Sequence, residues 1–303
     1  MPGGPSFVLS CGSTLAQEVM RRRAQNNAMH TKNFLLLVLN GPYSKFMKTL
    51  LITNIKGGVA KSTTAVAVAC GLKILKPEAN ILLLDGDPQG SIKTYFGLKL
   101  GNAEDFSTFL IDDTPFENAI QKIKVRDVGE IDVMISSRKL AEADIRMAAF
   151  PRREEALRMR FKKQNINYDY CIIDSSPAMN LVLLNFMTFA DSWLIPATMD
   201  AFAISNISYL FEQKKVIEEF YDKTPKILGI LPTMFDKRTT VAQSALEAVK
   251  ARFATQTKIF DPIPVDSTIK KAQVKKQVIY DFLGIAKSAD SYKQLSEEVL
   301  GLI

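Results

Sequence analysis

One short segment constrains this chain more than any other, because it combines glycines, lysines and hydroxyl side chains between an apolar run and a helix-forming run. Directly after the apolar residues 50–52 comes Lys56-Gly57-Gly58-Val59-Ala60-Lys61-Ser62-Thr63-Thr64. The two glycines allow backbone N–H groups to turn inward around an anion, and the N-terminus of the following helix adds its dipole. Lys61 supplies positive charge for phosphate, and Ser62 supplies a hydroxyl for Mg²⁺. The segment predicts a phosphate cradle formed by Gly57, Gly58, Val59, Ala60, Lys61, Ser62 and Thr63.

From Met47 onward, short apolar runs alternate with stretches of helical periodicity. The sequence predicts strands at 50–52, 81–84, 131–135, 171–174, 193–195 and 227–231. It predicts helices at 61–75, 181–190, 205–221, 241–253 and 291–300. Continuous apolar strands between helices are typical of strands buried on both faces. We therefore expect a single α/β domain over residues 47–303, with a mostly parallel, twisted sheet and helices on both faces.

Residues 1–46 differ from the rest of the chain in charge and composition. They carry +4 of the net charge of +7, from Arg21, Arg22, Arg23, Lys32 and Lys45 against Glu18. Their glycine, proline and polar residues predict a poorly ordered N-terminal extension. Their longest apolar run is 34–39, whereas a membrane helix needs about 20 apolar residues. We therefore expect no contact with a membrane.

The histidine and cysteine content excludes several kinds of site. The only histidine, His30, lies in the extension, so residues 47–303 cannot form a Ser-His-Asp triad or a His-ligated metal site. Cys11, Cys70 and Cys171 are odd in number and far apart, which is typical of a reducing compartment. Their spacing is not that of an iron–sulfur cluster. We therefore expect a cytoplasmic protein.

The loop departs from the common P-loop, because Ile55 stands where the first glycine would be and Lys56 precedes the glycine pair. It resembles the deviant Walker A loop, Lys-Gly-Gly-x-x-Lys-Ser/Thr, of the ParA/MinD family of P-loop ATPases. The Asp-Pro-Gln-Gly sequence that follows the second strand is similar to that of the ParA/Soj branch. The segments that carry the resemblance after the loop are Asp85-Gly86-Asp87-Pro88-Gln89-Gly90, Cys171-Ile172-Ile173-Asp174, Thr233-Met234-Phe235-Asp236 and Ile263-Pro264.

The resemblance implies roles for Asp85, Asp87 and Asp174 of these motifs and for Lys61 and Ser62 of the loop. Lys61 binds the β- and γ-phosphates of ATP. Ser62 ligates Mg²⁺, and Asp174 holds a water of the magnesium shell. Asp87 orients the attacking water beside the metal, and Asp85 is a partner on the magnesium side of the nucleotide or a structural residue.

The resemblance also implies roles for residues outside the central loop. Lys56 is the family's signature lysine, which reaches across a dimer to the phosphates of the other subunit. Met234 and Pro264 border the adenine base. Three positions depart from the family pattern. Ser175-Ser176-Pro177 stands where Cys-Pro-Pro is usual. Ala60 stands where a glycine is usual, and Thr268 stands where the family has an arginine that is associated with DNA contact.

The implied function is that of an ATPase with a slow basal rate that dimerises with ATP and binds DNA without sequence preference. It would partition a plasmid or chromosome on the bacterial nucleoid, with a ParB-like partner that stimulates hydrolysis. An alternative is that the same DNA-binding ATPase positions a protein organelle, such as a carboxysome, through a cargo adaptor. A third hypothesis is a metabolic P-loop enzyme. Lysines are expected to contact DNA in place of the missing arginine: Lys214, Lys215, Lys270, Lys271, Lys275 and Lys276.

Overall fold

The computed structural model describes residues 47–99, 104–164 and 166–303, and the predicted extension at 1–46 lies outside these ranges. The strands are β1 Lys48–Ile52, β2 Ile81–Gly86, β3 Gln121–Val125, β4 Gly129–Met134, β5 Tyr170–Ser175, β6 Ser192–Thr198, β7 Lys226–Thr233 and β8 Lys258–Ile259. They form one eight-stranded sheet in the order β3-β4-β2-β5-β1-β6-β7-β8. Among the described residues, β3 and β4 form the single antiparallel pair, and every other pair is parallel.

Helices connect the strands and cover the sheet. They are α1 Lys61–Leu75, α2 Ser91–Phe96, α3 Phe106–Asp112, α4 Phe116–Ala119, α5 Ala143–Arg146, α6 Ala156–Lys162, α7 Leu181–Phe189, α8 Ala203–Phe220, α9 Thr240–Phe253, α10 Ser267–Lys275 and α11 Lys287–Leu302. Short 3₁₀ helices lie at Arg138–Glu142, Arg153–Glu155 and Ile279–Phe282. The predicted fold class, a mostly parallel α/β sheet of the P-loop type, is confirmed.

Alternate side chains of the strands enter two apolar cores, one on each face of the sheet. On β1, Leu51 enters the core that α3, α4 and α6 to α9 cover, whereas Leu50 and Ile52 enter the core beneath α1, α2 and α11. Helix α1 is buried along most of its length because it lies between the sheet and α11. The first turn of α1, which follows the phosphate loop, is therefore held rigidly against the sheet.

The strand β6 continues beyond the predicted end at Pro196, to Thr198. Proline lacks an N–H group and is disfavoured in central strands. The pairing of β6 with β1 ends at Leu194, and the carbonyl of Pro196 accepts a hydrogen bond from Asn54 Nδ2 at 2.8 Å. The missing N–H therefore faces the loop beyond β1 rather than a paired strand, which explains why the proline is tolerated.

Candidate nucleotide-binding site

The register of the central strands brings the two acidic motifs together beside the phosphate loop. Asp85 at the end of β2 is the direct neighbour of Asp174 on β5, and Asp174 is the neighbour of Ile52, the last residue of β1. Because carboxyl ends of parallel strands meet at one edge of a sheet, the loop and both acidic segments share that edge. The structure therefore brings together the loop and the acidic residues that the sequence predicts.

Hydrogen bonds hold the phosphate loop between neighbouring strand ends. Asn54 Oδ1 accepts from Lys56 N at 2.9 Å, and Lys61 Nζ donates to the Lys56 carbonyl at 2.9 Å. Thr233 Oγ1, at the end of β7, donates to the Val59 carbonyl at 3.1 Å. These contacts preform the loop, so little ordering is needed when an anion binds.

Two loop residues have left-handed backbone conformations, and only one of them is glycine. Gly58 has φ +73°, which costs glycine little, whereas Ala60 has φ +63° and ψ +29° at the N-cap of α1. A left-handed conformation costs a residue with a Cβ about 1–2 kcal/mol. The replacement of the usual glycine by Ala60 therefore stores strain next to Lys61.

The centre of the site is a buried carboxylate beside a buried lysine. Neither oxygen of Asp174 makes a regular hydrogen bond, although both are buried. Burial raises the pKa of Asp174 and the Asp85 carboxylate raises it further, whereas the Ser62 hydroxyl and Lys61 favour the charged form. The side chain of Lys61 is 7% exposed, and burial lowers its pKa while Asp174 opposes that shift. A buried carboxylate whose charge is only partly offset in this way is stabilised by an added cation.

The donor set fits Mg²⁺ bound together with a nucleotide rather than by protein alone. Within the described ranges, no group of three or more His, Cys, Asp or Glu side chains is arranged to hold a metal ion. Magnesium in nucleotide sites takes one or two protein ligands and completes its shell with phosphate oxygens and water. The orphaned oxygens of Asp174 and the nearby hydroxyl of Ser62 suit that arrangement.

Asp85 organises the loop that follows β2. Its Oδ1 accepts from Asp87 N at 3.1 Å, and its Oδ2 accepts from Ile92 N at 3.2 Å. Burial raises the pKa of Asp85 to about 7, although these backbone hydrogen bonds act in the opposite direction. Of the two roles that the sequence leaves open for Asp85, these contacts favour the structural one.

A cavity of about 460 Å³ opens in front of the loop. Its lining includes Gly57, Gly58, Ala60, Lys61, Ser62, Thr63 and Asp87 from the predicted site. Residues that the sequence reasoning missed complete the lining: Gln89, Ser91, Thr94, Tyr95, Pro177 and Gln273. Gln89 belongs to the quoted acidic motif and Ser91 directly follows it, so both could have been found from the sequence. Nothing in the sequence pattern indicates Gln273, which comes from the distant helix α10.

The predicted adenine contacts lie beside this cavity rather than in its lining. Met234 and Pro264 are absent from the lining of the cavity. Met234 has φ +49° just after β7, and a parallel bridge joins Phe235 to Pro264. The two residues are therefore neighbours at the carboxyl end of β7, adjacent to the loop through the bond between Thr233 and Val59.

The signature lysine makes contacts within its own chain. Lys56 Nζ forms an ion pair with Asp200 and also donates to Thr198 Oγ1 at 3.0 Å. Although burial opposes it, the hydrogen bonds from Lys56 and Thr198 lower the pKa of Asp200. Lys56 must leave this ion pair before it can reach the phosphates of a second subunit.

The six predicted DNA-binding lysines fall into two groups on opposite faces of the sheet. Helix α8, with Lys214 and Lys215, packs on one core, whereas Ile269 of α10 packs on the other. Lys214 is already paired with Glu218. Lys270, Lys271, Lys275 and Lys276 are all exposed on or directly after α10. One protomer therefore does not present the six lysines as a single patch.

Comparison with known proteins agrees with the geometry of the loop and the sheet. A family model described as "AAA domain" matches residues 47–228. Sporulation initiation inhibitor protein Soj of Bacillus subtilis (strain 168) is 31% identical over 254 residues, which cover 83% of this chain and 98% of that protein. Chromosome partitioning protein ParA of Myxococcus xanthus (strain DK1622) is 30% identical over 258 residues, covering 84% of this chain and 88% of that protein.

A solved structure gives the same result at the level of the fold. The ATP complex of a Cyanothece McdA variant aligns with a TM-score of 0.74 and 25% identity, over 85% of this chain and 97% of that chain. Of the helices in the described ranges, none has both the length and the apolar character needed to cross a bilayer. Because a family model matches more than half of the chain and full-length relatives reach 31% identity, the chain belongs to the ParA/MinD-type P-loop ATPases, together with the Soj and ParA proteins.

Proposed function

We propose that this ATPase binds Mg²⁺–ATP at the described loop, dimerises in the ATP state and then binds DNA without sequence preference in order to partition cargo. The observation that carries the proposal is the preformed loop, with Lys61 and the buried carboxylate of Asp174 at its centre. The catalytic domain would span residues 47–303, with 1–46 as an extension.

The residues of the loop have separate tasks in ATP hydrolysis. Lys61 and the backbone N–H groups of Gly57 to Thr63 would hold the phosphates, while Ser62 and Asp174 would hold the magnesium shell. Mg²⁺, when bound, neutralises charge that develops on the phosphates. Asp87 lines the same cavity as the loop, and we propose that its carboxylate orients a water for attack on the γ-phosphate.

An exposed apolar surface at the same edge of the sheet supports dimerisation over the site. Phe202 follows β6 and Met234 follows β7, and Val265 N donates to the carbonyl of Phe235, the residue after Met234, at 3.3 Å. Phe202, Met234 and Val265 are 66%, 43% and 63% exposed, respectively. Exposed apolar side chains that are grouped beside a ligand site mark interaction surfaces. A second copy that covers them would bring its own Lys56 to the phosphates, as in sites that receive a cationic finger from a partner.

The lysines of α10 supply the proposed DNA contact. Affinity for DNA rises steeply with the number of phosphates that are neutralised. One protomer offers only a few lysines on α10, whereas a dimer doubles that number. We therefore propose that ATP controls DNA binding by controlling dimerisation, and that a ParB-like partner or cargo adaptor accelerates hydrolysis and release on the nucleoid.

The decisive experiment measures DNA binding and mass together in each nucleotide state. The full chain is expected to be dimeric and to retain DNA of unrelated sequences with ATP and Mg²⁺ at low salt, and to lose both properties with ADP. The Lys61→Ala variant serves as the control that cannot respond to ATP. A monomer with ATP, or equal DNA affinity with ATP and ADP, would contradict the proposal. Localisation of a tagged copy beside plasmid, chromosome-origin or organelle markers then identifies the cargo.

A further inference from the structure

Helix α10 connects the nucleotide cavity to the exposed lysines through one side chain. Gln273 Nε2 donates a hydrogen bond to Thr63 Oγ1 at 3.2 Å. Both residues line the cavity of about 460 Å³ in front of the loop. Lys271 and Lys275 lie two positions before and after Gln273 on the same helix, and both are exposed. A movement of Gln273 would therefore move the lysines as well.

The rest of α10 is held by few contacts. Ala272 is the buried residue of the helix. Ile269 packs against the core only in part. Asp266 caps the N-terminus, where it accepts from Thr268 N at 2.8 Å and from Ser288 Oγ at 2.9 Å. A segment with so little buried apolar surface shifts or opens at low free-energy cost. The position of its C-terminal half therefore depends on polar contacts such as the one that Gln273 makes.

A second contact joins the end of α10 to the other wall of the cavity. The side chain of Lys276 lies over Gly97, the C-cap of α2, so that a Cβ on Gly97 would come within 2.5 Å of Lys276 Cδ. Thr94 and Tyr95 of α2 line the cavity. Helix α10 therefore touches both helices that border the cavity, α1 through Gln273 and α2 through Lys276.

The chemistry of the first contact links it to an anion in the cavity. Thr63 uses its oxygen to accept from Gln273, so its own O–H proton remains available for donation into the cavity. A phosphate oxygen is a strong acceptor for that proton. Consecutive hydrogen bonds polarise and strengthen one another. A phosphate at Thr63 would thus tighten the bond that attaches α10.

We propose that Gln273 is a positioning residue that couples the nucleotide cavity to the lysines of α10 through Thr63. The proposal rests on the function proposed above, because it takes ATP as the ligand of the loop and DNA as the ligand of the lysines. Coupling between two binding sites is reciprocal, so DNA on α10 tightens ATP binding by the factor by which ATP tightens DNA binding.

The first test compares Gln273→Leu with Gln294→Leu. Gln294 is a matched control, because it is also exposed and hydrogen-bonded, to Asp261 at 3.0 Å and Glu298 at 3.1 Å, but lies on α11. ATP affinity is measured with a fluorescent ATP analogue in the presence and absence of DNA. Loss of one hydrogen bond should lower the coupling factor about fivefold in Gln273→Leu, whereas Gln294→Leu should match the wild type. A wild-type coupling factor in Gln273→Leu would overturn the proposal.

The second test does not require DNA. Amide hydrogen exchange over residues 267–276 should slow when ATP is added to the wild type, and this response should be lost in Gln273→Leu. The absence of any ATP response in the wild type would overturn the coupling even if DNA binds. If DNA fails to bind but the exchange response is present and depends on Gln273, then the proposed function is wrong and the contact is supported.

A double-mutant cycle tests whether the coupling depends on the hydrogen bond between Thr63 and Gln273. Thr63→Val removes the hydroxyl at nearly constant volume, and by itself it should lower the coupling factor between ATP and DNA about fivefold, as Gln273→Leu does. Adding Gln273→Leu to Thr63→Val should then change nothing further, because the two side chains act through one bond. A further loss in the double variant would contradict a route through Thr63.

Discussion

Two regions of this molecule offer lysine to phosphate, and they are built in opposite ways. In the loop, Lys61 is nearly buried, donates to the Lys56 carbonyl and lies near the buried carboxylate of Asp174. On α10 the lysines are exposed, and within the described ranges none of them forms an ion pair. A buried charge in a preformed cradle makes one specific phosphate contact, so its loss should abolish most of the binding. Exposed charges each add a small increment to DNA affinity, and salt screens those increments. The two regions should therefore respond very differently to mutation.

The largest effect is expected at the centre of the loop. Lys61→Ala removes both the positive charge at the phosphates and the hydrogen bond that closes the loop onto the Lys56 carbonyl. It also leaves Asp174 without its nearby cation. We expect ATP affinity to fall at least about 100-fold, since a truncated partner of a buried charge pair costs about 3–5 kcal/mol. Isothermal titration with ATP and Mg²⁺ measures this, and affinity within tenfold of the wild type would show that the cradle binds without Lys61.

The next effect tests whether Lys56 acts on the other subunit. Asp87→Ala should retain ATP binding but stall hydrolysis, and Lys56→Ala should lower turnover by about 100-fold or more, as for a lost arginine finger. In an equal mixture, half of the dimers would be mixed, each with one composite site that has both residues. Turnover should therefore recover to about a quarter of the wild-type rate. No recovery in the mixture would place Lys56 in its own site, where it already contacts Asp200.

A smaller effect is expected from the exposed lysines. The double variant Lys270→Glu with Lys271→Glu should weaken DNA binding in ATP, with ATP turnover close to normal. Two lysines on each of two protomers should lower the slope of log affinity against log salt by about three to four. The double variant Lys214→Glu with Lys215→Glu is the comparison, and it should do less because Lys214 is already neutralised by Glu218. Equal losses from both double variants would contradict the assignment to α10.

The buried carboxylate of Asp174 should also limit the stability of the nucleotide-free protein. Burial raises the pKa of Asp174 above its ordinary value of 3.8, so the folded state binds a proton that the unfolded chain releases. The stability of the wild type therefore falls as the pH rises from about 4 towards the folded-state pKa. Asp174→Asn avoids this loss. At pH 8 its free energy of unfolding should exceed that of the wild type by about 1–2 kcal/mol.

The stability advantage of Asp174→Asn should be smaller at pH 5, and it should be accompanied by loss of Mg²⁺-dependent ATP binding. Urea unfolding at pH 5 and pH 8 measures the difference in free energy of unfolding between Asp174→Asn and the wild type. Asp222→Asn serves as the control, because Asp222 is exposed. An advantage that is equal at pH 5 and pH 8 would show that burial of the charge is not its cause.

The central part of the site could be predicted because it is local in sequence. The glycines, Lys61 and Ser62 lie within one loop, and the acidic residues follow apolar strands whose carboxyl ends must share an edge. The principal strands and long helices were predicted for the same reason, since each carries its own hydrophobic period. The strand at 193–195 was predicted too short, because tolerance of Pro196 depends on where the neighbouring strand β1 ends.

The features of the site that were not predicted depend on contacts between segments that are distant in sequence. Gln273 reaches the cavity only because α10 packs beside α1, 210 residues away in sequence. The ion pair between Lys56 and Asp200 joins two strand ends in the same way. The sequence offers lysines of both α8 and α10 as DNA contacts, yet the sheet separates the two groups. The path of the connections between strands decides which face each helix covers, and no local sequence pattern shows that path.

The smallest effect concerns the strained residue of the loop. Ala60 adopts φ +63° at the N-cap of α1, a position where glycine is preferred over alanine and where a Cβ is unfavourable. Ala60→Gly should relieve this strain, and the greater entropy of glycine in the unfolded chain should offset part of the gain. We expect a net stabilisation of about 0.5–1 kcal/mol, seen as a rise of about 1–4 °C in the melting temperature.

The same chemical change at Ala248 provides the control for Ala60→Gly, because Ala248 is exposed in the middle of helix α9. There the loss of the methyl group should destabilise the protein by about 1 kcal/mol. Opposite signs at the two positions would show that the backbone conformation of Ala60, rather than the residue type, sets the effect. Because the loop is already held by Asn54, Lys61 and Thr233, ATP affinity should change less than twofold. A destabilised Ala60→Gly variant would mean that the methyl group makes a packing contribution larger than the backbone strain.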